Sequence, residues 1–320
     1  MPGSPYTDLD RPPLDAARLR RALVAPSGPW QRLELKVETE STNADVAEAA
    51  RDGEPEGLVV VAERQTAGRG RRGRVWQSPP RAGIATSVLL RPGEADRERG
   101  WSPVPTTGYG WLPLLAGVAL VEAVARLAEL DARLKWPNDL LVDDAKCAGI
   151  LAEAVPGGAV PGGSVAGGAV PAGAVAGGVV AGGAVSGGAS SRPSAVVLGI
   201  GLNVTLRADE LPDNPTGLPA TSLQLAGAAT DRDPLLRALL RAVADWYARW
   251  RDAGGDAVGS GLRDAYLAAC ATVGRPVRVF LPAGTELTGT ATGVDADGQL
   301  LVDTAAGERR LAAGDVLHLR

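Results

Sequence analysis

Helical and strand-like spacings of apolar residues alternate up to about residue 271, and from Val277 onward only short strand-like spacings remain. Leu14, Ala17, Leu19 and Leu23 recur among arginines and predict an amphipathic helix over 14–24. A short strand is expected at 33–37. Thr42, with Asp45 three residues later, then reads as a capping box opening a helix through Val46 to Ala50. The apolar run Leu58 to Ala62 and the alternating run Ile84 to Leu90 predict strands of a packed sheet. Trp111 to Leu130 repeats Leu115, Val118, Ala119, Ala123 and Leu127 at helical spacing, with Pro113 in the first turn, so its apolar stripe is core. Residues 133–142, the turn Asp143-Asp144 and residues 146–153 read as strand, turn, strand, and 195–204 as a further strand. Amphipathic helices are expected at 234–251 and 262–271. Five short strands follow, at 277–281, 287–294, 299–303, 308–311 and 316–319, with glycine-bearing turns between them, and describe a small β-barrel.

The chain therefore divides into an N-terminal tail and first helix (1–28), a larger α+β domain (29–272) and a small C-terminal barrel (273–320). Inside the larger domain, 156–194 is a low-complexity insert of near-repeats of Gly-Gly-Ala-Val-Pro. It has almost no charge and no apolar side chain larger than valine, so burial cannot offset the entropy of ordering it, and it is expected to be a flexible expansion of a hairpin loop. The longest uncharged stretch, Ala154 to Ser191, falls almost wholly within it, but its glycine and proline make it a poor membrane span. No membrane association is expected. The start, Met1 to Pro13, is polar and proline-rich and lacks the regions of a signal peptide, which fits the cytoplasm.

Charge and rare residues narrow the chemistry. A net charge of −4 argues against a general polyanion binder, although the stretch from Arg64 to Arg81 is strongly positive. Cys147 and Cys270 lie far apart with no CxxC spacing, so neither a disulfide framework nor a zinc site is indicated, and Cys147 reads as a small buried apolar residue. The single histidine, His318, leaves little room for a Ser-His triad or a histidine metal cluster. Gly68 to Arg74 sets four arginines among three glycines and is followed by Val75-Trp76. Glycine admits close backbone approach and guanidinium forks clamp phosphate or carboxylate, so this suits a loop closing over an anion. Its place between two predicted strands favours that reading over a disordered RNA-binding tail. Ser41 to Asn43 fall at a strand-to-helix junction, where free backbone N–H groups can face a ligand.

Taken in order, Ser41-Thr-Asn43, Gln65 with the arginine loop, Lys135-Trp-Pro-Asn-Asp139, Lys146 with Ala148-Gly149, and Gly199-Ile-Gly-Leu-Asn203 resemble the catalytic core of the biotin–protein ligases. The likeness runs from about Leu33 to Thr205, and the C-terminal barrel extends it to Arg320. It implies a mixed or antiparallel sheet flanked by helices, of the biotin/lipoate ligase (class II synthetase-like) type, with an SH3-like barrel. With only forty residues before the Ser-Thr-Asn motif, the chain resembles the monofunctional type without a DNA-binding module.

The resemblance implies two steps: biotin's carboxylate attacks the α-phosphate of Mg-ATP to give biotinyl-5′-AMP, and a lysine of a carboxylase's biotin carboxyl carrier domain then displaces AMP. It assigns Ser41, Thr42 and Gln65 to the ureido end of biotin, Asn43 to the biotin site as well, and Gly68, Arg69 and Gly149 to the pocket wall and closing loop. Arg71 and Lys146 would meet carboxylate and phosphate. Arg74, Trp76, Asn138 and Asn203 would meet the nucleotide, Trp76 by stacking on adenine, and Asp139 would orient the acceptor amine. No metal-binding motif is present, and Mg2+ is expected to arrive with ATP. No DNA partner is expected, and the resemblance suits a monomer or weak homodimer. Lys135 reads as a functional partner of Asp139 or as half of a turn-stabilising ion pair, and Arg72 as solvated charge. Two other readings are a lipoate or octanoate ligase, a family that lacks this arginine loop, and a nucleic-acid-binding protein, against which the acidic balance argues.

Overall fold

The structure, a computed structural model, describes residues 11–157, 194–212, 218–228, 231–281 and 284–319. The expected hairpin-loop expansion at 156–194 and the start of the N-terminal tail lie for the most part outside the described residues.

The first helix, α1 (Ala16–Leu23), is capped by Asp15, whose carboxylate accepts from the backbone of Ala17 and Arg18. Strand β1 (Arg32–Lys36) leads into α2 (Thr42–Arg51) and back to β2 (Leu58–Ala62), which lies parallel to β1. Strand β3 (Gly83–Leu90) is followed by α3 (Trp111–Ala128), then β4 (Ala132–Lys135), β5 (Asp139–Val142), β6 (Ala145–Val155) and β7 (Ala195–Asn203). These form one seven-stranded mixed sheet in the order β1-β2-β3-β7-β6-β5-β4, antiparallel beyond the first pair. Helices α4 (Arg232–Asp252) and α5 (Leu262–Ala269) complete the helical layer.

Period-two side chains sort the two faces. In β2 every residue is buried, but Leu58 and Val60 join Leu89, Val197 and the Val46–Ala50 stripe of α2, whereas Val59 and Val61 join Val88, Leu198 and the α3–α4 side. A strand buried on both faces reads as an unbroken apolar run, as this one does. Helix α3 is long and apolar enough to cross a membrane by length and composition, but it is largely buried against α4 and the sheet. On α4, Trp246 and Trp250 are 7% and 0% exposed, which makes them core.

Strands β8 (Pro276–Phe280), β9 (Glu286–Val294), β10 (Leu300–Thr304), β11 (Gly307–Leu311) and β12 (Asp315–His318) form a separate antiparallel sheet in the order β11-β10-β9-β8-β12. Its β9–β10 turn docks on the start of α3. Gly298 takes φ +81° there, Trp111 Nε1 donates to the Ala296 carbonyl at 2.7 Å and Trp136 Nε1 to the Gly298 carbonyl at 3.2 Å. A side chain at Gly110 would meet the Asp297 carbonyl at 2.3 Å, so the approach is close. One apolar cluster runs from α3 and α4 into this sheet through Tyr266, Val277 and Val294.

Two local expectations fail. Residues 133–142 form two antiparallel strands, because the chain reverses at Trp136-Pro137-Asn138; proline cannot donate to a continuing ladder, and Lys135 instead pairs with Asp139. Thr42 is not a cap but the first residue of α2. The cap position is Ser41, with no side-chain cap bond, and Asp45 pairs with Lys36 at 3.1 Å.

Candidate active site

A cavity of about 270 Å³ opens where the start of α2, the arginine loop, the β4–β5 turn, β6 and β7 converge. The parallel β1-α2-β2 unit places the N-terminus of α2 at one end, against Gly199 of β7, and the antiparallel β5-β6-β7 ladder places Asp139, Lys146, Gly149 and Gly201 at the other.

At the polar end, Gln65 Oε1 accepts from the Thr42 backbone N–H at 2.8 Å and from its hydroxyl at 3.1 Å, which leaves the amide NH2 of Gln65 for a ligand acceptor. The Ser87 hydroxyl, in the middle of β3, lies 2.7 Å from Thr42 Oγ1 and 2.6 Å from Asn43 Oδ1. Asn43 Nδ2 donates to Glu153 at 2.6 Å. These bonds, not helix capping, are what the Thr42 hydroxyl serves, because the sheet face beneath it is buried and every polar group there needs a partner.

At the charged end, Lys146 Nζ lies 2.6 Å from Asp139 and Lys135 Nζ 3.6 Å from the same carboxylate. Burial works to raise the Asp139 pKa, but Lys146, Lys135 and Arg71 together outweigh it and hold it below the usual carboxylate range. Burial lowers the Lys135 pKa, with Asp139 opposing. Arg71 is 7% exposed, and burial, partly offset by Asp315 and Asp139, lowers its pKa as well. Its Nη1 donates to Asn138 Oδ1 at 2.9 Å, and its buried Nε has no partner among the described residues. Arg71 also lines the cavity, and a buried guanidinium N–H without a partner is an unmet hydrogen-bonding demand.

The Trp76 indole lies across β6 and β7. A side chain at Gly201 would meet its ring at 2.5 Å and one at Gly149 at 3.2 Å, so these glycines are the seat of the indole. Lys146 Nζ stands 6.0 Å from the ring centroid. Asn203 is 4% exposed; its Nδ2 donates to the Thr221 carbonyl at 2.9 Å, although the residue still lines the cavity.

The cavity wall thus brings together Ser41, Thr42, Asn43, Gln65, Arg69, Arg71, Arg74, Trp76, Asn138, Asp139, Lys146, Gly149 and Asn203. Gly68 stands at the base of the loop instead, where a side chain would meet the Trp76 carbonyl at 2.4 Å, and Lys135 lies behind Asp139. Arg74 bonds Asp315 Oδ1 at 2.6 Å. Arg72, expected as solvated charge, bonds Asp315 Oδ2 at 2.9 Å, because the C-terminal sheet packs against the loop. Sequence reasoning missed Ser87, Glu153 and Asp315. A serine in the otherwise apolar centre of a strand is a signal that could have found Ser87; Asp315, more than two hundred residues from its partners, carries none.

The Biotin/lipoate A/B protein ligase family model matches residues 37–168, and the Biotin protein ligase C terminal domain model matches 272–319. The biotin--[acetyl-CoA-carboxylase] ligase of Mycobacterium tuberculosis is 37% identical, over 98% of this chain and 100% of its own length. The bifunctional ligase/repressor BirA of Bacillus subtilis is 29% identical over 86% of this chain and 70% of its own length. In fold, the chain is similar to a solved biotin protein ligase from Aquifex aeolicus in complex with biotin and ATP, with a TM-score of 0.63 at 24% identity, covering 91% of this chain and 100% of that one.

Proposed function

Because the chain belongs to the biotin/lipoate protein ligase family, we propose that it is the ATP-dependent ligase that joins biotin to a lysine of a carboxylase carrier domain through biotinyl-5′-AMP. In the first step a biotin carboxylate oxygen bonds the α-phosphorus of ATP, the bond to the β-phosphate oxygen breaks, and pyrophosphate leaves. Two anions must meet, so the site has to supply fixed positive charge. The observation that carries this reading is that Arg71 and Lys146 line the same cavity as Gln65 and Ser41–Asn43.

In the second step the acceptor amine bonds the biotinyl carbon, the bond to the AMP oxygen breaks, and the amine loses a proton. The Asp139 carboxylate, held ionised by two lysines, suits accepting a hydrogen bond from that amine and orienting it more than removing its proton. Biotin's ureido group fits the Gln65 amide and the Ser41–Asn43 end, and its apolar ring system would lie in the cavity between that end and Lys146. Trp76, on β6 and β7, offers a face for adenine, and Mg2+ would enter with ATP.

Biotin-dependent exchange of labelled pyrophosphate into ATP tests the proposal. Exchange should require biotin and be absent with lipoate or octanoate; exchange driven equally by lipoate would overturn the substrate assignment.

A further inference from the structure

Ser87 and Glu153 lie behind the cavity wall, yet both are bonded to residues that form it. Ser87 is 0% exposed, and its hydroxyl lies 2.6 Å from Asn43 Oδ1 and 2.7 Å from Thr42 Oγ1. Each of these contacts needs a proton, and the Ser87 hydroxyl has one for the two. The far end of the chain fixes which way the protons run. Asn43 Nδ2 lies 2.6 Å from a Glu153 carboxylate oxygen and 3.4 Å from the Leu151 carbonyl, and both of these groups accept without donating. The Asn43 amide therefore turns its NH2 to Glu153 and its oxygen to Ser87, so Ser87 donates to Asn43. The proton of the Thr42–Ser87 contact is then that of Thr42, which has Gln65 Oε1 at 3.1 Å as a second acceptor. With its proton drawn away, Thr42 Oγ1 keeps a lone pair for the cavity. Asn43 is packed directly on β7 as well, since a side chain at Gly199 would meet its Oδ1 at 2.0 Å.

We propose that Glu153 and Ser87 are positioning residues that set the direction of this relay, so that the cavity offers a ligand one donor, the Gln65 amide, beside one acceptor, Thr42 Oγ1. A cyclic urea presents the complement, a carbonyl oxygen beside an N–H, whereas a dithiolane ring presents neither, so the relay determines specificity for a ureido ligand. A site built to hydrogen-bond polar groups discriminates through the partners it would otherwise leave unpaired. With glutamine at 153, either end of an amide can face Asn43, the Asn43 group is free to turn, and the Thr42 proton can point at the ligand N–H. That the ligand is biotin rests on the function proposed above; the direction of the relay does not.

The Asn43 side-chain amide in the ligand-free enzyme tests the relay alone. Its NMR proton facing Glu153 should lie downfield, as a bond to a carboxylate requires, and should move upfield in Glu153→Gln. Biotin tests the consequence. Glu153→Gln should weaken biotin binding and raise the KM for biotin about tenfold, with kcat, the KM for ATP and the melting temperature near the parent values. Ser87→Ala, which cuts the relay in the middle, should weaken biotin binding to a similar extent. In the double variant Asn43→Asp/Glu153→Gln, position 43 accepts and position 153 donates, so Ser87 again donates to position 43 and at least half of the affinity lost in Glu153→Gln should return. Parent-like biotin affinity in Glu153→Gln, a double variant no tighter than Glu153→Gln, or an Asn43 amide signal that Glu153→Gln does not move would overturn the proposal. A parent enzyme that binds no biotin would refute the function while leaving the amide signal to decide the relay.

Discussion

Lys146 and Arg71 present positive charge to the same cavity, but their settings differ, and so should the consequences of removing them. Lys146 is a point charge braced by Asp139, and in the proposed reaction it would face the charge that develops in the transition state. Lys146→Gln should cut biotin-dependent pyrophosphate exchange by on the order of a hundred- to a thousandfold with a much smaller change in ATP affinity, as for other deletions of charge-stabilising contacts. Transfer from chemically supplied biotinyl-AMP should persist. Arg71 is buried in the loop itself, so Arg71→Ala should keep the fold yet release adenylate, read as labelling of bystander lysines; retention equal to the parent would count against its assignment.

His318 shows a different residue-scale effect. Burial, followed by the nearby charges of Lys135 and Arg275 and only partly opposed by Asp144, brings its pKa down to about 4. Thr272 Oγ1 accepts from the Trp136 N–H, so its own proton can go to His318 Nε2 at 3.0 Å, which requires the neutral ring. A histidine depressed in the folded state is protonated first in the unfolded chain, so its contribution is whole above about pH 6.5 and is lost as pH falls towards 4. With partial exposure discounted, the loss should be on the order of 1 kcal/mol. Denaturant titrations at pH 7 and pH 4.5 should show a smaller drop in His318→Asn than in the parent.

At the scale of elements, the glycines of β6 and β7 are seats and not hinges. Gly201→Ala places a methyl into the Trp76 indole, whose nearest atoms would lie at 2.5–2.8 Å, so the ring must move. The sheet should survive, because both flanking ladders are backbone-bonded, while nucleotide affinity falls and Trp76 fluorescence shifts. Unchanged nucleotide titration would mean that the indole does not contact the ligand. Val155 and Ala195 are cross-strand partners, so the segment between β6 and β7 leaves and re-enters the sheet at neighbouring positions. Loop-closure entropy grows only with the logarithm of length. Replacing 158–193 with a short turn should therefore leave activity within about twofold and stabilise by at most about 1–3 kcal/mol; a variant that fails to fold would show that the segment packs as structure.

Over the whole molecule, the two sheets share one apolar cluster, and the C-terminal sheet touches the site through Gly314 and Asp315. Helices, most strands and the order of the motifs were legible in the sequence, because apolar period, turn residues and glycine placement are local properties of the chain. Many of the motif residues were also legible, since Ser41–Asn43, Gln65, Lys135–Asp139 and Lys146 lie beside strand ends or turns that their own neighbours specify. A local rule failed where distant partners outbid it, since the Thr42 hydroxyl serves Gln65 and Ser87 instead of capping its helix; the reversal at Pro137, which sets Lys135 opposite Asp139, is by contrast a local effect of proline that the strand reading of 133–142 passed over. The sequence by itself determined which elements form and which chemistry they carry. Only the tertiary structure decided that Lys146 joins Lys135 on one carboxylate, that Arg71 is buried with an unpaired Nε, and that Arg72 and Arg74 are held by Asp315, because those contacts depend on how separated segments pack and no local pattern encodes them.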